Sequence, residues 1–215
     1  MKEPNRERKN DIKYNVTLNE EQKLAKQLII DNQIVIVTGR AGSGKSLICA
    51  QTALDFLMKK QCDHIFVTRA AVEVGNSLGF LPGDLEEKFN PYLEAFKENL
   101  EKCYDKNKIT ELVKDKKIVA YPVQFIRGKT IDDVLVVEEA QNLSKGEMLA
   151  ILTRLGKTGK IIINGDNEQK DIKESYTGLS YAIDISKKIE GIEWIKLKAN
   201  HRSDLVGKIL DNEYN

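Results

Sequence analysis

Eight consecutive residues, Gly39-Arg40-Ala41-Gly42-Ser43-Gly44-Lys45-Ser46, satisfy the spacing G-x-x-x-x-G-K-[ST] without a mismatch. Their types suit one chemistry, the holding of a polyphosphate. Glycines let the backbone fold around the anion, so that several N–H groups point at it. Lys45 supplies a cation for β- and γ-phosphate oxygens, and the Ser46 hydroxyl is a magnesium ligand in such loops. A second set lies at Glu138-Glu139, where two carboxylates end the apolar run Val134-Leu135-Val136-Val137. Acids delivered together at a strand end suit the other half of phosphoryl transfer. One acid belongs to the Mg²⁺ shell and the next polarises the attacking water. We therefore expect Glu138 on the metal side and Glu139 as the base, although the usual first residue is Asp, one methylene shorter. A third stretch, Gly165-Asp166-Asn167-Glu168-Gln169, holds an acid and an amide that could sense the γ-phosphate and position water. The same residue types also make an ordinary turn.

Such groups act together only if secondary structure brings them to one place. Gln33 to Thr38 is a continuous, β-branched apolar run, as expected of a strand buried on both faces. After the glycine loop, Leu47, Ile48, Ala50 and Leu54 recur at helical spacing, in a helix ending near Lys59-Lys60. Strand, glycine turn and helix are the context that makes the motif a phosphate-binding loop. Further strands are expected at His64–Thr68, Ile118–Tyr121, Val134–Glu139, Lys160–Asn164 and Trp194–Leu197. Helices are expected from Leu18 to about Ile30, from Leu85 to Tyr104 with a kink or break before Pro91, and after Ser144. A lysine-rich helix at Ile109–Lys114 reads as a solvated face, and Tyr176–Ile189 as amphipathic. Strands alternating with helices predict an α/β fold with a mostly parallel sheet.

Several side chains keep two readings. Asn19 and Gln22 have capping-box spacing, yet a Gln amide can also donate to and accept from an adenine edge. Arg69 follows the second strand at its carboxyl end, where ligands bind in open parallel sheets. Phe125 to Thr130 reads as a loop whose Arg127 and Lys129 are either solvated or contacts to nucleic-acid phosphates. Arg202 precedes Ser203, the cap of an expected short terminal helix, and is either a surface residue or one that stabilises transferring phosphate.

A chain of 215 residues can bury a good core. Residues 1–16 form a charged, flexible lead-in, nearly free of apolar side chains as far as Lys13, and 17–215 one domain. With 34 basic and 33 acidic residues the net charge is +1, so a nucleic-acid partner would need a local patch. The lead-in lacks the apolar core of a signal peptide, and no stretch approaches membrane-spanning length. Three cysteines without C-x-x-C spacing fit reduced thiols in a cytoplasmic protein, and a count of two histidines argues against a His/Cys zinc site.

Taken in order, these stretches resemble the PhoH-like P-loop ATPases, a family similar to the first RecA-like domain of superfamily 1 helicases. The resemblance runs from about Leu18 to Tyr214. Its most specific part is Thr68-Arg69-Ala70-Ala71-Val72-Glu73-Val74-Gly75, followed by Leu78 to Lys88 and Asn90-Pro91-Tyr92-Leu93. Phe125 to Thr130, Glu139-Ala140-Gln141-Asn142, Gly165-Asp166 with Gln169, and Arg202 to Val206 match later motifs. The resemblance implies a three-layer RecA-like fold and Mg²⁺-dependent ATP hydrolysis with Lys45, Glu139, Gln169 and Arg202 as catalytic residues. It implies adenine contact by Gln22, γ-phosphate sensing by Gln169, and an arginine-finger role for Arg202 across a subunit contact. Partners would be single-stranded RNA or DNA, met by Arg69, Arg127 and Lys129, with the chain in a homo-oligomeric ring, a hexamer being one candidate. The alternative is a nucleotide-binding regulatory module of the phosphate-starvation or stress type acting on a protein. Ala70, Glu138 and Asp204 depart from the residues the family favours, namely Pro, Asp, and Pro or Gly.

Overall fold

The computed structural model describes residues 12–70 and 85–199, with 85–90 described by backbone alone. In chain order the elements are α1 (Glu20–Asp31), β1 (Ile34–Gly39), α2 (Lys45–Met58), β2 (Ile65–Arg69), α3 (Leu85–Cys103), α4 (Lys106–Lys114) and β3 (Ile118–Ala120). They continue with α5 (Val123–Ile126), β4 (Val134–Glu138), α6 (Lys145–Leu152), β5 (Lys160–Gly165), α7 (Gly178–Ser186) and β6 (Ile192–Leu197). The six strands form one sheet in the order β3-β2-β4-β5-β1-β6, and every pairing is parallel.

Alternation along the strands explains the two cores. In β1, Val35 and Val37 pack with α1 and α2, whereas Ile34 and Ile36 face the layer of α5, α6 and α7. Likewise in β4, Val134 and Val136 join the first cluster and Leu135 and Val137 the second. A strand covered on both faces needs apolar residues at every position, which is why these runs show no polar alternation. Each fully buried aliphatic side chain contributes about 1.5–3 kcal/mol relative to its exposed state. β6 lies at an edge, and its Trp194 is half exposed.

Among the described residues, which leave out the terminal helix expected after Ser203, local expectations hold with three corrections. The helix expected to kink or break before Pro91 is unbroken, running from Leu85 to Cys103. Proline there removes only one backbone bond near the first turns, and Phe96 and Leu100 hold the rest of α3 against the core. α4 begins at Lys106, capped by Asp105, and buries Ile109 and Leu112, so it is more than a solvated face. Phe125 and Ile126, expected in a loop, close the short helix α5, because Ile126 is drawn into the second core. Residues 1–11 of the lead-in lie outside the described residues. Of its remainder, Tyr14 donates to Asp55 Oδ1 at 2.6 Å, tying it to α2.

The strand order decides where the chemistry lies. β5 sits between β1 and β4, with Thr38 opposite Gly165 and Val137 opposite Ile163. All carboxyl ends emerge at one edge of the parallel sheet, so Gly39, Gly165, Glu138 and Arg69 emerge there together.

Candidate active site

The loop between β1 and α2 is shaped by its glycines. Gly44 has φ +87°, and a Cβ placed there would lie 2.5 Å from Gln22 Nε2. A Cβ at Gly39 would lie 2.7 Å from the Leu197 carbonyl oxygen, so β6 presses against the start of the loop. α2 starts at Lys45 with no side-chain cap, and its first N–H groups are left to face an anion. Lys45 Nζ arches back to the carbonyls of Gly39 at 2.6 Å and Arg40 at 3.1 Å. Burial pulls its ammonium below the usual lysine range, while Asp166 and Glu139 act in the opposite sense. Ser43 Oγ is buried without a hydrogen-bond partner among the described residues. Arg40, at the loop's outer rim, pairs with Glu168 at 2.9 Å.

Across the sheet edge, the Glu138 carboxylate is held at both oxygens. Ser46 Oγ donates to Oε2 at 3.0 Å, and Asn164 Nδ2, from the intervening β5, donates to Oε1 at 2.7 Å. Burial raises its carboxyl above the ordinary range, and these two bonds counteract that. Ser46 and Glu138 therefore converge on one spot, as two ligands of a single cation must.

Glu139 has φ +50°, a left-handed backbone unusual for a non-glycine residue. Gln141, 1% exposed, donates from Nε2 to Glu139 Oε2 at 2.5 Å and to the Gln169 carbonyl at 3.2 Å. Its Oε1 accepts the Asp166 N–H at 3.0 Å. Asn142 and Asp171 add a reciprocal pair, each bond 2.8 Å long. The turn after β5 is thus fastened to the residues after β4. Asp166 is itself buried, which raises its carboxyl, and the Glu168 N–H and Lys45 oppose that shift. Gln141, Asn142 and Asn164 thus join the candidate site, and sequence reading gave them no role. Their signal was an amide adjoining each acidic turn, a pattern that spacing alone does not separate from turn formation.

Gln22 completes the capping box with Asn19 and also donates to the Ser43 carbonyl at 3.3 Å. The three cations expected to meet nucleic acid do not share a face. Arg69 leaves β2 on the side of Ile65 and Val67, and its guanidinium lies 5.4 Å from the Tyr92 ring centre. Lys129 is on the other side, 4.2 Å from the Tyr121 ring and 5.6 Å from that of Phe66. Arg127 is exposed, and its carbonyl accepts from Arg154. Arg202, and the family-like segment from Ala71 to Asp84, lie outside the described residues.

A parallel sheet with a glycine-rich loop before an uncapped helix, and acids at the end of a strand one position removed, defines a RecA-like P-loop NTPase fold. The sequence pattern of the family described as PhoH-like protein matches residues 16–213. Curated relatives bearing that description include those of Bacillus subtilis, 39% identical over 184 residues, and Synechocystis, 36% identical over 184 residues. Each comparison covers 84% of this chain but 58% and 56% of the relative, so the chain spans little more than half their length. Among solved structures, the large terminase of a thermophilic bacteriophage has a similar fold, with TM-score 0.58 at 10% identity, covering 93% of this chain and 51% of that one. So does Bacteroides Pif1 helicase in complex with ADP-AlF3 and single-stranded DNA, with TM-score 0.51 at 15% identity, covering 92% and 46%. The chain belongs to the PhoH-like protein family. No described helix is long and apolar enough to cross a membrane.

Proposed function

We propose that this protein binds ATP with Mg²⁺ and hydrolyses it to ADP and phosphate. The observation that carries this reading is the convergence of Ser46 and Glu138 beside the P-loop, with Glu139 fastened to the Gln169 turn one residue on. The donor set fits magnesium: one hydroxyl and one carboxylate leave room for phosphate oxygens and water, which a hard, octahedral cation prefers. The orphaned Ser43 hydroxyl and the bare start of α2 fit phosphate oxygens in the same way. When bound, Mg²⁺ neutralises charge on the β- and γ-phosphates.

Gly39 to Ser46 wrap the phosphates, Lys45 exchanges its carbonyl contacts for phosphate oxygens, and Gln22 contacts adenine from its place against the loop. Glu139 orients a water whose oxygen bonds to the γ-phosphorus while the bridging oxygen departs on ADP with the bonding pair. The water's proton passes to solvent by way of Glu139. Gln169 reads the γ-phosphate from the neighbouring turn. The test is ATP turnover and nucleotide binding in Lys45→Ala and Glu139→Gln. Both lose turnover, by about 10²-fold or more, and the second keeps its affinity for nucleotide. Full turnover by Glu139→Gln overturns the assignment of the base.

Hydrolysis is coupled to single-stranded RNA or DNA, which the exposed Arg127 meets together with Lys129. The chain works as a cytoplasmic homo-oligomeric ring in which Arg202 serves a neighbour's site. Turnover that rises on adding single strands at low salt supports the coupling, and no rise with no salt-sensitive binding favours a regulatory module acting on a protein. Activity that is undiminished in a monomer at high dilution excludes the ring.

A further inference from the structure

β2 ends at Arg69 and β4 at Glu138, and the two residues are register partners in the parallel ladder. Partners in a parallel pair send their side chains to the same face. On that face α3 and the sheet end enclose a cleft of about 110 Å³ that opens to solvent. Ser46, Glu138 and Glu139 line its inner end, and Arg69, Tyr92 and Asn99 line the rest. The cleft therefore meets the candidate metal side of the site, with Ser46 at the end of the P-loop among its lining residues.

Arg69 is the unusual member. Its guanidinium is steadied over the Tyr92 ring, and its charge acts on the Glu138 carboxyl, lowering it, without a direct ion pair between the two. A guanidinium held by a ring, with a carboxylate near but not clamping it, keeps its fork of donors for a tetrahedral oxyanion. Hydrolysis creates such an anion at the inner end of this cleft. Its return through the P-loop is obstructed by the ADP still seated there.

We propose that this cleft is a second phosphate site, through which cleaved orthophosphate leaves, and that Arg69 is its binding cation. The inference rests on the ATPase reading above. It also gives Arg69 a role separate from nucleic-acid contact. Glu138 and Glu139 together outweigh one arginine, so the site accepts phosphate only when Mg²⁺ offsets the acids.

The experiment is equilibrium dialysis of radiolabelled orthophosphate against the full chain loaded with ADP and Mg²⁺, in wild type, Arg69→Ala and Arg69→Lys. Arg69→Ala weakens phosphate binding roughly tenfold to a hundredfold, the effect of losing one charge-assisted contact. Arg69→Lys, which keeps charge and stem, falls between and guards against misfolding of the alanine variant. Omitting Mg²⁺ abolishes binding in wild type, and affinity for single-stranded RNA and DNA is the same in all three. Phosphate affinity unchanged by Arg69→Ala overturns the proposal, as does loss of strand affinity with phosphate binding intact. If wild type fails to bind ADP, the ATPase reading falls. Orthophosphate is then titrated with Mg²⁺ alone, and its dependence on Arg69 decides the cleft.

Discussion

Gln141 donates to Glu139 at 2.5 Å and, through the same amide nitrogen, to the Gln169 carbonyl at 3.2 Å. One buried amide thereby ties Glu139, proposed to orient water, to the turn of Gln169, proposed to read the γ-phosphate. Gln141→Ala leaves the Asp166 N–H and the Glu139 carboxylate short of a partner. It costs about 1–3 kcal/mol in stability, measured by urea denaturation, and lowers kcat more than it raises KM. A kcat equal to wild type makes Gln141 a packing residue only.

Gly44 is fixed by backbone and by space. Gly44→Ala meets a φ of +87° and the Gln22 amide together, and should weaken nucleotide binding at least tenfold by fluorescence titration. Adding Gln22→Ala removes the collision but not the backbone strain, and it also removes the proposed adenine contact. The double variant is therefore compared with Gln22→Ala alone and still binds more weakly. Recovery to the level of Gln22→Ala places the whole cost in the side-chain contact.

Asn164 is the only described donor from β5 to the Glu138 carboxylate. Asn164→Leu is close in volume but leaves Oε1 without its bond, and stability falls by about 1–3 kcal/mol. The variant also needs more Mg²⁺ for half-maximal turnover, because Glu138 is then free to swing from Ser46. An unchanged Mg²⁺ requirement argues that Ser46 alone sets the position of Glu138.

Lys160 closes the carboxyl end of α1. Its ammonium donates to the carbonyls of Ile29 at 2.5 Å, Ile30 at 3.2 Å and also Asn32, and lies 4.9 Å from the Phe56 ring centre. Lys160→Met keeps the stem and strips these bonds, so it is less stable at neutral pH. Burial pulls the Lys160 ammonium down to about 8, against 10.5 when exposed. Between those values the unfolded chain holds a proton that the folded chain has released, and stability rises with pH. Wild type therefore gains on Lys160→Met as pH climbs from about 8 towards 10.5. A constant difference across that window excludes the linkage.

Sequence reading found what depends on local order. The β1–loop–α2 unit is contiguous, so residue types and spacing were enough to place Gly39 to Ser46. The capping boxes at Asn19 and Ser144 formed because their partners sit three residues away. The amides that finish the site come from elsewhere in the topology. Asn164 reaches Glu138 only because β5 lies between β1 and β4, an order no local pattern encodes. Arg69 shows the same limit. Its place after a strand was legible, but its neighbours Tyr92 and Glu138 depend on how α3 and β4 pack. Pro91 does not break α3, because the apolar contacts of Phe96 and Leu100 together offset proline's local penalty.

The insertion of β5 also bears on how the site comes into being. Ser46 and Glu138 are 92 residues apart in sequence, and Asn164 joins them only when three strands are already in register. A partly assembled chain can form the P-loop turn yet has no place for the cation. Loop closure over such separations is slow, so the metal side is a late product of folding. On the proposed reading, Mg²⁺–nucleotide then acts as a selective weight on the finished state: at a hundred times Kd it would add about 2.7 kcal/mol to native stability.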